Sequence, residues 1–296
     1  MLDSEKFFEK YRNRSQFDKS GLEWEELEEI YRDYVDNRQK NKEIIAQELE
    51  ELFNKEIRNE GIRIHSIKSR YKDPEHLIEK IIRKNGVENR SKYSNINVEN
   101  YFNIIRDLIG LKILVHSKED WENVYDLLTQ TMVNKYHMTI EEQPKAYIRY
   151  GDRDIYKQKI HKEYTNKSYR AQHYIMKYKD NFFEVQVKTL TEEVYGEFDH
   201  YVRYPYRQKN NFLKRYTNIV SELLDSVDEI ISTCFQFESS GWEQLEKYFD
   251  KDHYEDWNKI AQKSLRVHDI LPNPKVVDDN IDVKSYMENI FLRKEG

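Results

Sequence analysis

A short run of alternating side chains carries the first candidate chemistry of the chain. Glu184, Gln186 and Lys188 alternate with apolar residues between Phe182 and Thr189. A period of two places these polar groups in one row, on one face of a β-strand. An edge strand with a solvated face shows the same alternation, so the row indicates a site only if other reactive groups lie beside it.

A second carboxylate, Asp107, lies within a hydrophobic segment that runs from residue 104 to residue 115. We expect this segment to form a strand that is entered through Asp107 and Gly110. An aspartate at the start of a buried strand commonly just caps a loop. Its interpretation therefore depends on whether a second carboxylate meets it.

Basic side chains are expected where a strand beginning near residue 62 passes into a helix. Asp73 suits the N-cap of that helix and Pro74 its first position. Arg70 and Lys72 therefore lie just before a helix N-terminus, which favours anions. Three more basic groups recur at intervals of four residues on the helix: His76, Lys80 and Lys84. A solvated basic stripe would explain that spacing equally well.

The segment 149–170 is expected to be a cationic loop. It holds seven Lys or Arg residues against three acids, a surplus of four positive charges, with four tyrosines interleaved. Basic groups mixed with aromatic rings are suited to pairing with phosphates and stacking on bases. A chain this rich in tyrosine also produces such a mixture by chance.

The composition excludes several classes of function. The net charge of −6 argues against wholesale coating of nucleic acid. The eight glycines form neither of the common glycine-rich phosphate loops, and the single cysteine, Cys234, cannot build a disulfide or a cysteine-based zinc site. Cys234 falls in an apolar helical stretch, where we expect a buried thiol. The N-terminus does not resemble a signal peptide and no run approaches the ~20 apolar residues of a membrane span, so we expect a cytoplasmic protein with no membrane contact.

The pattern of elements predicts an α+β protein of three parts. Residues 1–60 form a helical N-terminal arm that bends near residues 36–40, residues 61–206 hold the strands, and residues 207–296 form a C-terminal helical extension. Within the extension we expect a helix over residues 212–237 and shorter helices near residues 242–249 and 254–261.

Four motifs, in order, resemble those of the RelA/SpoT synthetase domain. In this chain they are Arg70-Tyr71-Lys72 followed by Lys80, Asp107 to Ile113, Tyr169 to His173, and Glu184 to Thr189. They are similar, in turn, to the donor-nucleotide motif, the Asp-x-x-Gly-x-Arg strand, the Tyr-Arg-Ser-x-His loop and the Glu-x-Gln-x-Arg-Thr strand of that family. The resemblance covers about half of the chain and implies a nucleotidyltransferase-like mixed sheet flanked by helices.

The resemblance implies transfer of pyrophosphate from ATP to the 3′-hydroxyl of GDP or GTP, giving (p)ppGpp. Asp107 and Glu184 would meet on adjacent strands and hold Mg²⁺, the natural partner of two carboxylates that otherwise repel each other. Glu184 would also take the proton from the attacking hydroxyl. Lys72 and Lys80 would neutralise phosphate charge.

The remaining expected contacts divide between the two nucleotides. The resemblance implies an ATP-binding set of Arg70, which would stack on adenine, with Lys72, His76, Lys80 and Lys112. It implies an acceptor-binding set of Tyr169, which would stack on the acceptor base, with Arg170, His173, Gln186 and Lys188. His76 and Lys112 stand where the family usually has serine and arginine, and Ala171 stands where it has serine.

Two other functions compete with alarmone synthesis. The basic segment 149–170 is compatible with a toxic branch of the family that pyrophosphorylates the 3′ end of tRNA and blocks translation. A non-catalytic domain that binds nucleotide or RNA is disfavoured by the complete set of carboxylates and lysines. No His-Asp hydrolase signature occurs, so we expect synthesis only, and the sequence leaves open a homo-oligomer or an antitoxin partner.

Overall fold

The computed structural model describes residues 2–86, 93–149, 152, 155–156, 158–165, 169–203, 207 and 210–240. Residues Met1–Gln236 form one compact unit. No helix among the described residues is long and apolar enough to span a bilayer. The predicted helices near residues 242–249 and 254–261 lie outside the described residues.

The N-terminal arm is helical, as predicted. Its helices are α1 (Ser4–Tyr11), α2 (Arg14–Phe17), α3 (Trp24–Asp33) and α4 (Gln39–Glu60). A π-helical turn over Tyr34–Arg38 joins α3 to α4 where the polar sequence predicts a bend. Gly61 ends α4 in the left-handed conformation at φ 64°, which glycine adopts without steric cost.

Seven strands of the described chain form one mixed sheet in the order β1-β2-β7-β6-β4-β5, with β3 beside β6. The strands are β1 (Ser66–Tyr71), β2 (Ile109–Val115), β3 (Thr139–Ile140), β4 (Lys145–Arg149), β5 (His161–Thr165), β6 (Ala171–Tyr178) and β7 (Asn181–Thr189). β2 runs parallel to β7, and Gly110 is paired with Glu184. β1 and β6 lie antiparallel to β2 and β7, respectively. The predicted α+β class and mixed sheet are confirmed.

One face of the sheet packs into the main hydrophobic core. Phe183, Val185 and Val187 of β7 are almost completely buried there, together with the alternate β2 residues Ile109, Leu111, Ile113 and Val115. Phe53 of α4 meets Phe183 edge to face, with ring centroids 6.5 Å apart. The helical segments α7 (Trp121–Asp126) and α8 (Met132–Tyr136), joined by a π-helical turn, join this core. Because strand residues alternate, the other face of β7 carries Glu184.

A second core ties the N-terminal arm to the helix that follows β1. This helix, α5 (Pro74–Gly86), packs with α1, α3 and the short helix α6 (Tyr101–Ile104). The buried hydroxyl of Tyr34 donates to the carbonyl oxygen of Lys72 at 2.7 Å. The arm therefore supports the end of β1 and the start of α5, where the predicted basic cluster lies.

The last described helix, α10 (Asn211–Ser240), follows α9 (Leu190–Val202) and turns its polar side toward the rest of the unit. Thr217, Ser221, Asp228 and Ser232 are buried, whereas Leu223, Val227, Ile230 and Cys234 are exposed. The predicted buried thiol is therefore wrong, because the apolar side of α10 faces outward. The predicted C-terminal helix itself is confirmed.

Three predicted element boundaries differ from the structure. The strand expected over residues 104–115 begins at Ile109, because Tyr101–Ile104 form α6 and a turn separates the two elements. The first strand begins at Ser66 rather than near residue 62, since the chain leaves α4 through Gly61 and needs several residues to reach the sheet. The segment 149–170 is not all loop, because β5 occupies His161–Thr165 and pairs in parallel with β4. The domain boundaries at 60/61 and 206/207 stay predictions.

Candidate active site

The polar face of the sheet is the side opposite the main core, and it gathers most of the predicted site residues. Its side chains come from four adjacent strands: Arg70 from β1, Lys112 from β2, Glu184, Gln186 and Lys188 from β7, and His173 from β6. Gly110 also lies on this face, between Arg70 and Glu184. The strand register brings these groups together although they are up to 118 positions apart in the sequence.

Asp107 forms one corner of the site with two lysines. Lys80 Nζ of α5 donates to Asp107 Oδ1 at 2.5 Å, and Lys72 Nζ lies 3.9 Å from Oδ2. Burial alone would raise the pKa of Asp107, but the two ammonium groups outweigh it and hold that pKa well below its usual range. Burial lowers the pKa of Lys72. The corner is thus a half-buried carboxylate beside two cations, next to the start of β2.

Arg70 crosses the polar face directly above Gly110. A Cβ atom at position 110 would lie 3.0 Å from Arg70 Nε and 3.3 Å from its Cγ. The glycine therefore leaves the space through which the guanidinium stem passes. Gly110 is a position of the candidate site that the predicted site residues did not include, although the short Asp-x-x-Gly spacing marks it.

Glu184 lies at the centre of the polar face and is held from two sides. Gln186 Nε2 donates to its Oε2 at 2.8 Å, and His173 Nδ1 lies 2.9 Å from its Oε1. Burial opposes ionisation of Glu184, but its contact with His173, chiefly the hydrogen bond, outweighs burial and keeps the pKa of Glu184 below the usual value. Glu184 is therefore an oriented, ionised carboxylate at neutral pH.

Tyr169 continues this chain of contacts on the acceptor side. Its hydroxyl lies 2.9 Å from His173 Nε2. Burial raises the pKa of Tyr169 well above its usual value, so the phenol keeps its proton. A neutral His173 with its proton on Nδ1 would donate to Glu184 and accept at Nε2 from the Tyr169 hydroxyl. Lys188 Nζ lies 4.9 Å from the Tyr169 ring centroid.

Two predicted residues lie away from this cluster. Arg170 donates through Nε and one terminal nitrogen to the two oxygens of Asp152, both at 2.7 Å, and through the other to Ser221 of α10 at 2.9 Å. Position 170 alternates with His173 along the strand direction, so its side chain takes the opposite side of the sheet. In this placement the guanidinium is paired within the protein, and the acceptor contact of Arg170 stays a prediction. His76 is exposed on the first turn of α5, where its ring meets Tyr11 edge to face at 5.7 Å.

Glu193 is a site residue that sequence reasoning missed. It lies in the first turn of α9, and its carboxylate accepts from both Lys112 and Lys188. Only the position of α9 over the end of β7 brings it there, so no spacing in the sequence singles it out from the adjacent Glu192.

Asp107 and Glu184 suit a magnesium ion by their chemistry. Carboxylate oxygens are the ligands that Mg²⁺ prefers, and the charge of Asp107 acts on Glu184 across the face. The described residues contain no group of three or more His, Cys, Asp or Glu side chains that could hold a metal. A bound ion would therefore need nucleotide phosphates and water to complete its coordination.

Comparisons with known proteins agree with this architecture. Residues 69–209 match the family described as "Region found in RelA / SpoT proteins". The fold is similar to that of small alarmone synthetase 1 from Bacillus subtilis, with a TM-score of 0.52, 19% identity, and coverage of 71% of this chain and 100% of that chain. It is also similar to a GTP pyrophosphokinase family protein from Streptococcus pneumoniae, with a TM-score of 0.51, 19% identity, and coverage of 74% and 98%.

No match was found among curated proteins. The family match spans all four motifs, from Arg70 to Glu184 and beyond, and the structural likeness covers the sheet on which they lie. Residues 69–209 of this chain belong to the RelA/SpoT family.

Proposed function

We propose that this protein transfers the β,γ-pyrophosphate of ATP to the 3′-hydroxyl of GDP or GTP, releasing AMP and forming (p)ppGpp. The observation that carries the proposal is the pair of carboxylates formed by Asp107, just before β2, and Glu184, on the polar face of β7. One carboxylate is held by two lysines and the other by His173 and Gln186. Membership of the RelA/SpoT family supports the same class of reaction.

The donor nucleotide fits the side of the face near β1 and α5. Lys72 and Lys80 supply ammonium groups at Asp107, where they would stabilise the charge that develops on the transferred phosphates. Arg70 lies exposed above Gly110 with a planar guanidinium that suits stacking on a base. Lys112 lies farther along β2 on the same face.

The acceptor nucleotide fits the side near β6, and Glu184 is placed to act as its base. An ionised carboxylate held by two hydrogen bonds can take the proton of the attacking 3′-hydroxyl without first moving. Tyr169 supplies an aromatic ring beside Lys188, and the ammonium group suits an acceptor phosphate. Mg²⁺ held by Asp107 and Glu184 would polarise the transferred phosphoryl groups when bound.

The proposal predicts two products that a single assay can detect. Purified full-length protein is incubated with ATP, Mg²⁺ and GDP or GTP, and the nucleotides are separated by anion-exchange chromatography. We expect AMP and 3′-pyrophosphorylated guanosine nucleotide in equal amounts, and no AMP when the acceptor is omitted. Absence of both products under all these conditions would contradict the proposal. Incubation of the product with the protein should release no pyrophosphate, since we expect synthesis only.

The tRNA acceptor remains an outcome of the same assay rather than a second proposal. Several described cations of the segment 149–170 are engaged within the protein: Arg170 with Asp152, and Lys159 with Glu122 at 2.5 Å. They therefore add little to an open RNA-binding surface. Transfer of label from [γ-³²P]ATP to deacylated tRNA, with none to GDP or GTP, would establish the alternative. Oligomer and antitoxin partners stay predictions from the sequence.

A further inference from the structure

Glu193 joins a cation of the donor side to a cation of the acceptor side. One carboxylate oxygen accepts from Lys112 of β2, and the other lies 3.3 Å from Lys188 Nζ of β7. The two lysines are not directly paired in the sheet, since Lys112 lies opposite Gln186 and Lys188 opposite Leu114. The Glu193 carboxylate therefore connects a lysine of β2 with a lysine of β7 that is not its direct neighbour across the sheet.

The start of α9 fixes this bridge in place. Thr189, which directly follows Lys188, caps α9 and exchanges hydrogen bonds with Glu192 in a capping box. Glu193 is the next residue, so its backbone is held within the first helical turn above the sheet. Its side chain is 15% exposed and that of Lys188 is 6% exposed, so the pair is screened from water far better than a surface ion pair.

Glu193 is also what favours the charged form of Lys188. Burial lowers the pKa of Lys188 and the neighbouring Lys112 lowers it further, whereas Glu193 and Glu192 of α9 raise it. Tyr169, which faces Lys188 from the chain before β6, stays protonated and neutral. Among these groups, Glu193 is the acid that forms an ion pair with Lys188, at 3.3 Å.

The bridge leads through Lys188 to the candidate base. The Lys188 ammonium lies over the Tyr169 ring, the Tyr169 hydroxyl contacts His173, and His173 contacts Glu184. A shift of Lys188 would therefore remove its contact with the ring of Tyr169, on which the acceptor base is proposed to stack.

We propose that Glu193 is a positioning residue for the acceptor half of the site: it holds Lys188 over Tyr169 so that the ammonium meets an acceptor phosphate. This role rests on the proposed pyrophosphate transfer. It makes Glu193, which lies outside the four motifs, a residue that contributes to acceptor binding. Glu193 needs no contact with substrate, because it acts through Lys188. Lys112 also donates to the Glu193 carboxylate and so helps to hold it between β2 and β7.

Steady-state kinetics of Glu193→Gln test this role, with Glu197→Gln as the matched control. Glu197 lies one turn later on α9, touches Lys112 at 3.6 Å and is 74% exposed, so its removal should leave rates within twofold, as expected for an exposed pair. For Glu193→Gln we expect roughly a 10-fold rise in the KM for the acceptor and less than a threefold change in the KM for ATP.

The pH profile separates positioning from mere loss of folding. In Glu193→Gln the alkaline limb of kcat/KM for the acceptor should move to lower pH, because Lys188 loses its opposing charge. Adding Lys188→Arg should return that limb to high pH, since a guanidinium does not lose its proton in this range. An unmoved limb, or an equal shift in Glu197→Gln, would overturn the proposal.

A turnover-independent measurement keeps this result distinct from failure of the proposed function. The ¹³Cε resonances of labelled lysines are titrated in the resting protein, with Lys188→Arg identifying the signal of Lys188. We expect that signal to titrate at lower pH in Glu193→Gln than in the native protein. If the native protein makes no product with any acceptor, the proposed reaction fails. An unchanged Lys188 titration would refute the role of Glu193 whatever the activity.

Discussion

Replacing Glu192 by glutamine should stabilise the protein at pH 8 and leave its stability nearly unchanged at pH 4. Glu192 lies in the first turn of α9, where its Oε2 accepts from the backbone N–H of Thr189 at 2.9 Å. Glutamine offers an acceptor of the same shape, so the capping box survives the change. The variant therefore isolates the effect of the negative charge.

The expected size of the effect follows from the surroundings of Glu192. Burial raises its pKa to about 7 from a usual value of 4.5, and Asp228 of α10 adds to the rise. The folded protein thus holds the proton more tightly than the unfolded chain, and stability is lost as pH rises through this window. The shift corresponds to an upper limit of about 3 kcal/mol. Since part of the residue still meets solvent, we expect a gain of about 1–2 kcal/mol at pH 8.

Urea unfolding at the two pH values measures this gain. The midpoint for Glu192→Gln should rise at pH 8 with an unchanged slope, and it should match the native midpoint at pH 4. Glu193→Gln is the matched control: burial alone would raise the pKa of Glu193, but Lys112 and Lys188 outweigh burial and lower that pKa. That control should gain nothing at pH 8. An equal gain for Glu192→Gln at both pH values, or a loss at pH 8, would refute the electrostatic explanation.

Two further substitutions test assignments made from the geometry. Arg170→Ala should lower the free energy of unfolding by about 3–5 kcal/mol, because it leaves Asp152 without its bidentate partner, while the KM for the acceptor stays within twofold. Unfolding curves and initial rates check this, and a raised KM at unchanged stability would return Arg170 to the acceptor site. Gly110→Ala should raise the KM for ATP roughly 5- to 10-fold, because its Cβ would displace the Arg70 side chain, with stability within about 1 kcal/mol. An unchanged KM for ATP would show that the path of Arg70 above Gly110 does not matter for donor binding.

The sequence predicted the strand that carries Glu184 and the bend of the N-terminal arm because both depend on local signals, the alternation within the strand and the polar stretch at residues 36–40. Alternation within β7 is enough to separate Val185 from Glu184, and the burial of Val185 follows from the same rule. The cap formed by Gly61 is likewise a local signal. These features needed no knowledge of the distant chain.

Contacts between distant elements could not be predicted in this way. The bridge made by Glu193 depends on how α9 crosses the end of β7, and the outward apolar side of α10 depends on the polar groups buried beneath it. Arg170 adjoins Tyr169 in the sequence, but strand alternation sends the two side chains to opposite faces. A motif identifies residue types, whereas the sheet decides which of them meet.

Pyrophosphate transfer by Glu184→Gln tests the central claim most directly. The rate of AMP formation is measured with ATP, Mg²⁺ and GDP, and ATP affinity is measured separately by calorimetry. Glutamine preserves the size of the side chain but removes the charge that binds a cation and accepts a proton. We expect a loss of at least about 100-fold in kcat, with the Kd for ATP in the absence of Mg²⁺ changed less than about threefold. A variant that retains the native rate would contradict the role of Glu184 and, with it, the proposed site.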